Sequence, residues 1–114
     1  MALLRESRAS FTAPWYFAVE FRNVMLKAEK RGLIVRERGE ASVIDTMQLV
    51  SLMPPPSAAS LDEIQRLARS EGLTHYDGHY LDLALVRAMP IATRDKALIK
   101  AGQRLGLDVH DLRD

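Results

Sequence analysis

The chain has 114 residues, and 47% of them are hydrophobic, enough to bury one core and too many for a disordered segment. A formal net charge of +1 excludes a strongly basic nucleic-acid binder, and the lack of cysteine excludes disulfides and thiolate zinc sites. The opening stretch MALLRESRAS holds no long apolar run, so neither a signal peptide nor a membrane span is expected, and the reducing cytoplasm is the default location.

In chain order, residues 2–7 (ALLRES) are expected as a short helical tail, and Phe11, Thr12 and Ala13 as a short strand. Pro14 suits a first helical position. Phe17, Phe21, Val24, Met25 and Ala28 recur at helical spacing up to Gly32, which predicts a helix over 15–31. A second helix is expected over 40–52, with Val43, Ile44, Met47 and Val50 inward. Pro54-Pro55-Pro56 breaks the chain as a loop inside one domain spanning 1–114, because neither side could bury a core alone. Ser60 and Glu63 read as a capping box ahead of Ile64, Leu67 and Ala68, and Gly72 closes that helix. Thr74 opens the next helix, with Leu81, Ala84, Leu85 and Ala88 as its inner face. Residues 89–93 read as a short buried strand, 96–105 as a helix and 107–112 as a last strand. Strand, helix, strand in that order implies a parallel unit with a right-handed crossover. The class is therefore α/β with helices in excess.

The stretch THYDGHY, residues 74–80, places His75 and His79 four apart on one helical face, a spacing that can hold a metal. No glutamate base accompanies the pair, and the third histidine, His110, is remote, so two solvated histidines at a helix start is the plainer reading. Asp77 lies three residues after Thr74, where a carboxylate completes a cap and faces the positive end of the helix. Asp95 is a natural N-cap, and it also follows the carboxyl end of a parallel strand, where open α/β sheets place their sites. Glu20 interrupts the apolar run WYFAVEF and shares a helical face with Tyr16, Asn23 and Lys27. By pattern alone each acid has a structural role.

Together the stretches APWYFAVEFRNVMLKAEKRGLI and LTHYDGHYLDLALVRAMPIATRDKALIKAGQRLGL resemble the PIN-domain ribonucleases, in particular the VapC-type toxins of toxin–antitoxin pairs. The resemblance covers nearly the whole chain. It is most specific at Asp77-x-x-Tyr80-Leu81-x-Leu83-Ala84 and at Pro90-Ile91-Ala92-Thr93-Arg94-Asp95, with Glu20-x-x-Asn23 as a weaker third match. It implies a PIN-like α/β fold, a short parallel sheet flanked by helices. It also implies a site in which Glu20, Asp77 and Asp95 bind Mg2+ or Mn2+, with Asn23 and Thr93 in support. The implied activity is phosphodiester hydrolysis of RNA, the implied partners are a VapB-like antitoxin on the hairpin of the first two long helices and a second copy of the chain, and the compartment is cytoplasmic.

One departure matters. The family opens with a hydrophobic strand that ends in a metal-binding aspartate, and here that strand, its aspartate and the first helix are absent. Glu6 is the one acid in residues 1–13. The expectation is a shortened member whose central strand is missing, with weak catalysis and self-association through the gap. Two other functions stay open: a catalytically inactive PIN-like module that binds RNA or antitoxin, and a zinc hydrolase using His75, Asp77 and His79. The basic positions Arg22, Lys27, Lys30, Arg31, Arg36 and Arg38 could meet phosphates, but Glu29 and Glu37 dilute them, and a solvated helical hairpin is the better reading.

Overall fold

The computed structural model describes residues 1–7 and 10–113. Ten elements follow in order: β1 (Ala2–Ser7), β2 (Ser10–Pro14), α1 (Phe17–Lys30), α2 (Arg36–Leu49), β3 (Val50–Met53), α3 (Ala58–Glu71), α4 (His75–Arg87), β4 (Ile91–Thr93), α5 (Lys96–Arg104) and β5 (Val109–Asp111). The strands form one five-stranded mixed sheet in the order β3-β2-β1-β4-β5. Helices flank it, so the α/β class stands.

The first correction is at the amino end. Residues 2–7 are strand, not helix, and they fill the central position that the sequence left vacant. Ala, Leu, Arg and Glu favour helix, but six residues are too few to sustain one. The alternation of buried Ala2 and Leu4 with their outward neighbours has the period of a strand. Both flanking edges then supply hydrogen bonds. Leu4 lies opposite Thr12 of β2, and Ala2, Leu3 and Leu4 lie opposite Thr93, Ala92 and Ile91 of β4.

β1 is antiparallel to both neighbours, whereas β2–β3 and β4–β5 are parallel pairs. Four strands therefore point one way and the central strand points the other. The sheet is mixed rather than parallel as expected.

Other boundaries move for local reasons. Pro14 closes β2 instead of opening α1, which begins at Phe17. The run 40–52 divides into the end of α2 and the strand β3, whose VSLM side chains continue the apolar pattern of the helix. The cap of α3 is Ser57, whose Oγ accepts from the Ser60 backbone N–H at 3.2 Å, and Ser60 sits inside the helix. Gly72 at φ 68°, Thr74 and Asp95 cap as the sequence predicts.

The core joins the sheet to α4 and α5 through Leu4, Ala13, Phe17, Tyr80, Leu81, Ala84, Ile91 and Leu98. Gly78 lets α4 close on α3: a Cβ there would stand 2.9 Å from that of Ala68. Several residues expected inward are exposed, namely Val24 at 43%, Ile44 at 59% and Leu85 at 37%, with Ala88 beyond the helix end. The α1–α2 hairpin reaches the core through Phe17, Phe21 and Met47, and much of the rest of its apolar stripe stays exposed.

Candidate functional site

Site geometry starts from strand direction. β2 ends at Pro14 and leads into α1, whose first turn carries Glu20. β4 ends at Thr93 and leads through Arg94 to Asp95, the N-cap of α5. Both acids thus follow the carboxyl end of a strand. Because β1 runs the opposite way, its beginning, Met1, arrives at the same end of the sheet. Thr93 Oγ1 donates to the Met1 carbonyl oxygen at 3.1 Å and accepts from the Asp95 N–H at 3.1 Å. Asp95 Oδ1 in turn accepts from Leu98 N–H at 2.8 Å.

Asp77 enters from the first turn of α4, where its N–H is capped by Thr74 Oγ1 at 3.1 Å. Its carboxyl is pushed above the usual carboxylate range, first by burial and then by the like charges of Asp95 and Glu20; the Met1 ammonium and the Thr74 hydroxyl pull the other way. The three acids are therefore close enough for the charges of two to oppose ionisation of the third. Glu20 Oε1 accepts from the Tyr80 hydroxyl at 2.8 Å. Burial, then the charge of Glu20, raises the Tyr16 phenol, and burial, then the bond to Glu20, raises that of Tyr80.

Tyr16 also donates to the Tyr76 carbonyl oxygen, so two hydrogen bonds tie the start of α1 to α4. These buried hydroxyls were not singled out from the sequence. Their signal was spacing: Tyr16 is four residues before Glu20, and Tyr80 three after Asp77.

Thr93 is buried and orders the turn into Asp95. Asn23 is exposed on α1 and makes no side-chain hydrogen bond among the described residues, so the structure does not join it to the acids. A cavity of about 570 Å³ opens beside Asp95, lined mainly by Met1, Leu3, Phe17, Phe21, Thr46 and Leu112.

An all-oxygen donor set suits a hard divalent cation. Among the described residues, however, no three His, Asp or Glu side chains gather tightly enough to hold one ion. The fit is in donor chemistry and not in closeness. Glu6, the acid of β1, lies towards the carboxyl end of that reversed strand, at the far end of the sheet.

The histidines also differ from expectation. His79 is buried rather than solvated, at 6% exposure, and meets Trp15 and Tyr16 edge-on with ring centroids 5.4 and 5.6 Å away. Its Nε2 lies 3.0 Å from His75 Nε2.

Comparison with known protein families gives no match, and neither does comparison with curated proteins. Among solved structures, the crystal structure of PAE2754 from Pyrobaculum aerophilum is similar, with a TM-score of 0.65 at 24% identity over 86% of this chain and 69% of that one. At that identity the likeness speaks to the fold. No helix among the described residues is long and apolar enough to cross a membrane.

Proposed function

We propose that this chain is a PIN-like protein of the VapC toxin type, with a weakened site for Mg2+- or Mn2+-dependent cleavage of RNA. The observation that carries the reading is the mutual charge at the acidic end, where burial, Asp95 and Glu20 all oppose ionisation of Asp77. Carboxylates held together at a cost attract a cation, which relieves it. Asp77, Asp95 and Glu20 are the donors that would close in on the ion, with Thr93 fixing the turn into Asp95 and Asn23 in support by the resemblance alone. When bound, a divalent ion supplies charge against that developing on a phosphodiester during in-line displacement. The Tyr80 hydroxyl, by donating to Glu20 Oε1, restrains that carboxylate.

Calorimetric Mn2+ titration and cleavage of structured RNA, each with Asp77→Asn alongside, test the reading. Weak Mn2+ binding and slow cleavage, both lost in Asp77→Asn, are expected. Cleavage that survives Asp77→Asn would sink it.

A second reading, a PIN-like RNA- or antitoxin-binding module without catalysis, is favoured by the lack of a tight three-ligand group among the described residues. Saturable RNA or antitoxin binding without any Mn2+ heat would select it. In either reading the proposed location is the cytoplasm, and the proposed face for the antitoxin or a second copy is the α1–α2 hairpin. There Leu26, Leu33, Val35 and Ile44 are exposed beside Arg22, Lys27, Lys30, Arg31, Arg36 and Arg38.

A further inference from the structure

The histidine pair on α4 lies outside the acidic site and is built more tightly than chance proximity requires. His75 Nδ1 lies 2.8 Å from Gln65 Oε1 on α3. An amide oxygen only accepts, so Nδ1 carries the hydrogen, and neutral His75 presents a bare Nε2. That nitrogen faces His79 Nε2 at 3.0 Å, with the two rings nearly perpendicular at 84°. One hydrogen therefore sits between two nitrogens, and moving it to His79 Nδ1 leaves two lone pairs on one side.

We propose that His75 and His79 form a two-imidazole site for a borderline divalent transition-metal ion of the zinc, nickel and copper class, bound through both Nε2 atoms. Metal–nitrogen bonds of about 2.0–2.1 Å place two ligand nitrogens roughly 2.9 Å apart at a right angle and roughly 3.4 Å apart in a tetrahedron. The observed 3.0 Å lies between them, so the separation of the two nitrogens already suits one ion. His79 is held in place by the edges of Trp15 and Tyr16, and Gln65 does for His75 what an outer hydrogen-bond acceptor does for a ligating imidazole, fixing tautomer and ring direction. Half-buried His75 leaves the pair open to solvent on one side, and a recess of about 90 Å³ reaches His79 beside Trp15 and Asp82. No third His, Asp or Glu joins the group among the described residues, so the remaining positions are taken by water and the ion exchanges. The imidazole donors separate this site from the hard-ion chemistry of the acidic end.

Trp15 is the chain's single tryptophan and lies next to His79, so its fluorescence reads the site directly. Cu2+ titration of the full chain should quench it saturably at one equivalent, and Zn2+ should restore the signal by displacement while Mg2+ should not. His75→Gln, at a partly exposed position, should weaken Cu2+ at least tenfold with an unchanged melting curve, and His79→Gln should weaken Cu2+ as much. Asp77→Asn should leave Cu2+ quenching intact, which separates this site from the acidic one. Quenching that does not saturate, that is equal in His75→Gln, or that disappears in Asp77→Asn would overturn the proposal.

Discussion

Tyr80 is fully buried, yet its hydroxyl finds one acceptor, Glu20 Oε1, across the α1–α4 contact. Removing that hydroxyl forfeits a hydrogen bond to a charged group at an otherwise well-packed ring. Tyr80→Phe should therefore cost about 1–2 kcal/mol in denaturant unfolding, less than a full buried loss because half-buried Glu20 regains water. His79 makes a second claim at this scale. Burial, then the neighbouring His75, hold its pKa below the usual 6.5. A folded pKa below the unfolded one means that the unfolded chain takes up the proton first as pH falls. Stability is thus complete above about 6.5, begins to fall below it, and finishes falling as pH drops through the folded pKa. Melting temperature followed between pH 8 and 5 should decline more steeply for the natural chain than for His79→Gln. Equal slopes would remove His79 as the cause.

At the scale of elements, the closeness of α3 and α4 depends on Gly78, where an added Cβ would meet Ala68 Cβ at 2.9 Å and Ile64 Cγ2 at 3.2 Å. Gly78→Ala should destabilise by about 1–3 kcal/mol through overpacking, despite alanine's better helix propensity. A stabilised variant in thermal melts would mean that the helices part without cost. The elements also mark how far the sequence could be read. Thr74 and Asp95 were legible because an N-cap is a local device, a side chain bonding three residues ahead. β1 was not, because its residues favour helix locally and only the edges of β2 and β4, the latter about 90 residues away in the chain, make it a strand. β3 was hidden for another reason: Val50 extends the apolar spacing of Val43 and Met47, so nothing in the pattern announces the change of period. The acidic positions were legible as residues, whereas the hydroxyls around them needed the packing of α1 on α4.

For the whole molecule, β1 removes the reason given for self-association. The gap in the sheet is closed within one chain, so no unpaired central edge calls for a neighbour. Removing residues 1–7 should restore that demand, because it strips hydrogen-bond partners from β2 and β4 at once and uncovers Phe17 and Leu81. Light scattering after gel filtration should give a mass above one chain for the shortened protein. A monodisperse, cooperatively melting single chain lacking residues 1–7 would mean that β2 and β4 close up directly. Any dimer of the intact chain must then use another surface, such as the α1–α2 hairpin.

The reversed strand has a practical corollary. Thr93 is clasped from both directions: its hydroxyl binds the carbonyl of Met1, and its carbonyl accepts from the Leu112 N–H at 2.9 Å. The described chain therefore enters and leaves at one place, within reach of Asp95 and the cavity beside it. A polyhistidine purification handle fused at either terminus would dangle its own metal-binding imidazoles over the acids, and ion titrations or RNA assays would report on the handle. The turn at Gly106, between α5 and β5, lies at the opposite end of the sheet and is exposed. A handle spliced there, or removed altogether, leaves the doorway clear.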